Sequence, residues 1–137
     1  RCLPASLATI VDTFLPRANV GYDFGAWRDG LAALRIGDFD EVLCVNDSVF
    51  GPLADFAPVL VDPGVASADL WGMVLSDQNA RRDAARVPHL QSWFLGFRRR
   101  LLESDAFQKF WRTFEPCDTK LEVIERYEIG FTARMAE

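Results

Sequence analysis

The sequence predicts one α/β domain, a sandwich of helices around a few core strands. Apolar residues recur at helical spacing in several stretches, and between these lie short apolar runs of strand length, EVLCV and LWGMVL. Isolated parallel strands of that kind need helices on both faces. The 137 residues amount to a little less than a typical domain of about 150, so two full domains are not expected. Half the residues are apolar and 26% are charged, which excludes disorder as the main state.

The elements follow in order. Leu3, Leu7, Ile10, Val11 and Phe14 keep helical spacing, with Pro4 suited to a first turn and Pro16 just beyond, so residues 4 to 15 are expected to be an amphipathic helix. Phe24, Trp27, Leu31 and Leu34 predict a second helix over about 24 to 35, with Gly37 and Asp38 at its exit. Glu41 to Val45 is expected to be a strand buried on both faces, ending in the polar loop NDSVFGP. Leu53 to Leu60 suits a short helix, and Asp62-Pro63-Gly64 breaks the chain before a second core strand at 70 to 75. Residues 76 to 88 are polar and without period, a surface loop long enough to be functional. HLQSWFLGF fits strand or helix, and RRRLLESDAFQKFWRTF is helical, split at Ser104. Thr119 and Glu122 form a capping box ahead of Leu121, Ile124, Tyr127 and Phe131, the last helix.

Charge is unevenly spread. Residues 1 to 80 hold four basic and eleven acidic side chains, whereas residues 81 to 137 hold eleven and nine. A net charge of −5 speaks against nucleic acid as a partner. The asymmetry suits either a polyvalent cation beside a phosphate or two solvated faces. Cys2, Cys44 and Cys117 lack ligand spacing, which suggests neither disulfides nor zinc and fits a reducing compartment. No apolar stretch nears the roughly 18 to 20 residues of a membrane span, and no signal peptide opens the chain. A cytoplasmic location is expected, or one at the inner face of the cell membrane through regions outside this chain. The first residue is Arg1 rather than Met, which leads to the expectation of a piece of something longer.

Three constellations suit chemistry. Asn19 to Gly30 brings glycines to the mouth of a helix with Asn19, Asp23, Arg28 and Asp29; helix starts bind anions, and such side chains grip sugar hydroxyls. The spacing is neither that of a Rossmann nor of a P-loop motif, and a plain capped helix start is the alternative. Asn46-Asp47-Ser48 ends a strand, the edge where open α/β sheets place ligands, and a lone carboxylate there suits Mg²⁺ or Mn²⁺ completed by substrate phosphates. An Asx-turn that merely ends the strand is the alternative. His89 follows a loop whose Arg81, Arg82 and Arg86 suit contact with a diphosphate; His89 itself suits a metal ligand, a general base, a diphosphate partner or a plain boundary residue, and Gln91 and Ser92 suit sugar hydroxyls. Asp69 and Asp77 add carboxylates near the same edge, and Tyr127-Glu128 sits within a helix.

The segments NVGYDFGAWRDGL, EVLCVNDSVFGPL, ADLWGMVLS, HLQSWFLGFRRRLLES, AFQKFW and RYEIGFT, in that order from about Asn19 to Thr132, resemble the rhamnan synthesis protein F family. The resemblance implies a glycosyltransferase of GT-A type, a Rossmann-like α/β/α sandwich. Its work would be assembly of rhamnose-containing cell-surface polysaccharide, with a nucleotide-diphosphate sugar as donor and a growing polysaccharide or lipid-linked glycan as acceptor. Asn19, Gly21, Asp23, Arg28 and Asp29 then face the donor, together with Asn46, Ser48 and Gln91. Asn46-Asp47-Ser48 is similar in position to the Asp-x-Asp metal motif, with Ser48 in place of the second acid, so Mg²⁺ or Mn²⁺ would be held by Asp47 and a more distant ligand such as His89, or weakly. Asp47, Asp77, His89 and Glu128 are the candidates for catalytic work. GT-A enzymes begin with a nucleobase-binding strand, and nothing upstream of residue 4 supplies one, so residues 1 to 137 are expected to be a partial domain.

Overall fold

The computed structural model describes residues 3–78 and 85–136. Arg81 and Arg82, expected near a diphosphate, lie outside the described residues. The architecture is mixed α/β with two small sheets. β1 (Glu41–Val45), β2 (Leu70–Gly72) and β5 (Phe94–Arg98) form one sheet in the order β1-β5-β2, while β3 (Leu75–Ser76) pairs with β4 (His89–Leu90). Every strand pair among the described residues is antiparallel, with Glu41 opposite Arg98 and Leu70 opposite Phe97, so the parallel sheet expected from the alternation of elements is not present here. β1 and β2 are the edges of the larger sheet, and on β1 only Cys44 is buried; Leu43 and Val45 point to its uncovered face.

The helices are α1 (Tyr22–Ala33), α2 (Ala57–Leu60), α3 (Pro63–Ser67), α4 (Arg99–Leu102), α5 (Asp105–Arg112), α6 (Lys120–Val123) and α7 (Ile129–Met135). α1 starts where Gly21 takes a left-handed φ of 75°, and it ends at an extended Leu34. Ser104 separates α4 from α5 and caps the second, its hydroxyl accepting from Phe107 N at 3.2 Å. The Thr119–Glu122 capping box opens α6, and a π-helical turn, Ile124–Glu128, carries that helix into α7.

Four readings of the sequence change. Residues 4 to 15 make isolated turns, such as Leu7 N to Pro4 O at 2.9 Å, and Ile10 is 73% exposed. So short a run is marginal as a helix without a surface to pack on, and Thr9, Ile10, Val11 and Thr13 weaken it further. LWGMVL is two strands in two sheets. HLQSWFLGF is likewise two strands, turned at residues 91–93. Asp62 does more than break the chain: its Oδ1 accepts from Gly64 N at 2.8 Å and Val65 N at 3.2 Å, capping α3 with Pro63 in the first turn.

The core is aromatic and helical. The Phe24 ring lies 5.2 to 6.3 Å from those of Trp27, Phe110, Trp111, Tyr127 and Phe131, so α1, α5 and the last helix meet around it. Phe97, fully buried on β5, joins the sheet to this cluster through Phe107 at 5.2 Å and Phe131 at 5.6 Å. Each such ring contributes roughly 1.5–3 kcal/mol by leaving water.

Candidate functional site

The end of β1 is a junction of polar bonds. Asn46 N donates to Trp93 O at 3.0 Å, which ties the strand end to the turn before β5. Its side chain bridges outward: Nδ2 donates to Asp23 Oδ2 at 3.0 Å, and Oδ1 accepts from Ser48 N at 3.0 Å and Ser48 Oγ at 2.6 Å. The Asx-turn is therefore real, and it also brings the first turn of α1 to the strand end through Asp23. Asp47, at the tip of this turn, is exposed and makes no hydrogen bond or ion pair with the described residues.

Beside Asn46 opens a cavity of about 380 Å³, within the size range of small-molecule sites. Val45, Phe50, Phe56, Met73, Trp93 and Phe94 line it, with Asn46 and Asp55 as its polar groups. Phe50 is 94% exposed at the rim and Leu53 86%, so the segment expected to be a polar loop is an apolar one. Sequence reasoning passed over these residues, although the run VFGPL carried the signal.

The α1 start is held by packing and by its own ion pairs. A side chain at Gly21 would meet the Phe114 ring as well as the strained φ, and one at Gly25 would overlap the Val20 carbonyl. Both glycines are thus accounted for without a ligand. Asp29 lies between two guanidiniums, with Arg17 Nε at 2.7 Å from Oδ2 and Arg28 Nη2 at 2.7 Å from Oδ1. The Arg17 hydrogen bond, and then that of Arg28, hold its carboxyl below the usual carboxylate range. Arg28 also stacks over Phe114, 5.4 Å from the ring centre. Arg28 and Asp29, expected to face a donor, therefore satisfy each other, while Asn19 is exposed two residues before Gly21.

A second polar cluster joins the loop after β3 to the last helix. His89 is 2% exposed; its Nδ1 lies 2.7 Å from Val87 O and its Nε2 3.8 Å from Glu128 Oε1. Both ring nitrogens of His89 therefore face groups of the chain itself. Glu128 Oε2 accepts from Ser92 N at 3.2 Å and, in a short contact, from the Ser92 hydroxyl. Thr132 Oγ1 accepts from Leu90 N at 2.9 Å. Gln91 N donates to Val74 O at 2.9 Å, one bond beyond the Leu75–Leu90 pair of β3 and β4. Asp77 is paired with Arg86 at 3.0 Å. Burial pushes the Cys44 thiol up to about 12, as a core cysteine. Among the described residues, no group of three or more His, Cys, Asp or Glu is arranged to hold a metal, and no helix is long and apolar enough to cross a membrane.

The structure thus brings together Asp23, Asn46, Asp47 and Ser48 at one junction and His89, Ser92 and Glu128 at another, joined through Trp93. No solved structure matches the chain. A virulence protein, VirA, of Vibrio anguillarum is 31% identical over 134 residues, covering 93% of this chain and 40% of that protein. An uncharacterized protein, y4gN, of Sinorhizobium fredii is 29% identical over 120 residues, covering 86% of this chain and 30% of that protein. The chain therefore spans 30% to 40% of the length of these curated relatives. Residues 4–137 match the profile of rhamnan synthesis protein F, and with nearly the whole length covered, the chain belongs to the rhamnan synthesis protein F family.

Proposed function

We propose that the chain is part of a GT-A-type glycosyltransferase domain. It would move a sugar, rhamnose or a related deoxysugar, from a nucleotide-diphosphate donor to a growing polysaccharide or lipid-linked glycan. Family membership supports a role in polysaccharide synthesis. The observation that carries the reading is the strand-end turn, where Asn46 fixes Asp23 and Ser48 and leaves the Asp47 carboxylate free at the tip. The open edge of β1 leaves room for the further strands that such a fold requires.

The residues fit Mg²⁺ or Mn²⁺ in one way. Asn46 Oδ1 is taken by Ser48 and no three-residue ligand group exists among the described residues, so Asp47 would hold the ion with water and the donor's diphosphate oxygens. Bound there, the ion would neutralise the diphosphate leaving group. Asp23 and Asn46 orient the turn, and the apolar cavity beside them, walled by Trp93 and Phe50, keeps water from the reacting bond and seats the acceptor. The free, buried Cys44 and Cys117 accord with a reducing, cytoplasmic setting, which we place at the inner face of the membrane.

Isothermal titration of nucleotide diphosphates, with and without Mn²⁺, tests this on the natural chain and on Asp47→Ala. Metal-dependent binding that disappears with Asp47 is expected, and binding indifferent to both would overturn the metal role. A second reading, a non-catalytic nucleotide-sugar-binding module, is favoured by the single carboxylate at the turn. Repeated consumption of an activated deoxysugar by the full-length natural protein rules that module out.

A further inference from the structure

We propose that Glu128 is a positioning residue for the strand-end site: it sets the place of the Asn46 turn through two neighbouring residues of the chain. The inference rests on the donor-binding role given above to Asn46 and Asp47. Glu128 accepts from both the backbone N–H and the hydroxyl of Ser92. The next residue, Trp93, accepts the Asn46 N–H at 3.0 Å, and Asn46 then holds Asp23 and Ser48. A shift of Ser92 therefore moves the Trp93 carbonyl, and with it an asparagine whose remaining bonds are directional.

Three features set Glu128 apart from a packing residue. Its side chain is only 18% exposed, and a carboxylate so placed costs desolvation that an apolar side chain would not. It does not act alone: Thr132, one turn further along the helix, grips Leu90 N, so that two side chains of one helix hold alternate residues of the segment before β5. It also closes the π-helical turn Ile124–Glu128, where Tyr127 and Ile129, the residues on either side of it, are both buried. Single π turns within helices occur often at functional sites. A glutamate that only filled space would need none of these.

The test is amide NMR on the ¹⁵N-labelled chain, with nucleotide-diphosphate titration alongside. Glu128→Ala is expected to shift the Asn46 and Ser48 amide signals and weaken nucleotide-diphosphate binding about tenfold, since both bonds to Ser92 are lost and the turn is no longer held in place. Glu128→Gln keeps a carbonyl acceptor for Ser92 N–H and is expected to restore most of both. Phe107→Leu, a core change away from these bonds, is expected to lower stability yet leave the two signals in place. Unmoved signals in Glu128→Ala, or an equal movement in Phe107→Leu, overturn the proposal. If Glu128→Ala does not fold, Glu128→Met, which fills the space and accepts from neither Ser92 donor, reads the same link, and unmoved signals there overturn the proposal as well. A natural chain that binds no nucleotide diphosphate defeats the donor reading alone, because the amide shifts still decide the role of Glu128.

Discussion

The helical cluster around Phe24 and the segment from Val49 to Ser67 are both rich in apolar side chains and treat them in opposite ways. In the first, three helices far apart in sequence close over the same rings, and Phe24, Phe107 and Phe131 are almost wholly buried. In the second, α2 and α3 bury no residue of their own, Phe50 and Leu53 stay in solvent around a cavity, and Val61 is exposed as well. Burial, and with it stability, is therefore concentrated around the Phe24 cluster, while the part beside the Asn46 turn is held by few buried side chains. Such a division is usual where a rigid scaffold carries a working loop.

The sharpest way to break this contrast is Phe24→Ala, which is expected to cost about 3–5 kcal/mol because five surrounding rings cannot collapse into the gap. A urea midpoint that hardly moves would show that the cluster is not the stable part. Two helix caps of the same kind come next. Thr119→Ala, in the helical half, should cost about 1 kcal/mol in the same measurement, and Asp62→Ala, at the head of α3, clearly less, since a segment that buries nothing can open without the rest. Equal costs would mean that both halves unfold as one.

A smaller effect is expected from Asp29→Asn, and it depends on pH. The folded carboxyl is held low by Arg17 and Arg28, so its contribution is present above the unfolded value of about 3.9 and is lost as pH falls through the lower folded value. The gap between wild type and variant in melting temperature should close on acidification below about pH 4; a constant gap would point to packing instead. Smallest of all, Phe50→Ala should change stability by less than about 0.5 kcal/mol, while reducing the binding of an apolar dye that fluoresces in the cavity. A large loss of stability would place the loop in the core after all.

Local signals were legible in the sequence and distant pairings were not. The Thr119–Glu122 box and the Ser104 cap were visible because the residues that bond lie three apart, and α1 and the last helix because their apolar period is long. The run EVLCV announced a strand, yet nothing in it told which neighbour would pair with it or in which direction, and β5 runs antiparallel to it. The segment 4 to 15 failed for a related reason: periodicity says which residues share a face, but not that anything waits to cover that face. At the site, Asn46 and Asp47 stood out by their place at a strand end. Their link to Asp23, 23 residues away, and that of Ser92 to Glu128, 36 away, exist only once the helices have packed.

The outer edge of β1 has a consequence for how the chain behaves in company. From Glu41 to Val45 it carries no lysine, no proline and no bulge, and it presents Leu43 and Val45 beside a row of backbone groups that no other described strand takes up. Natural edge strands are commonly blunted by one of those devices, because a bare edge is a template for the next chain. Unless the further strands proposed above take it up, this five-residue edge is where two copies of residues 1–137 would zip together at high concentration and begin to aggregate. A single lysine in place of Leu43 is the smallest change that would keep them apart.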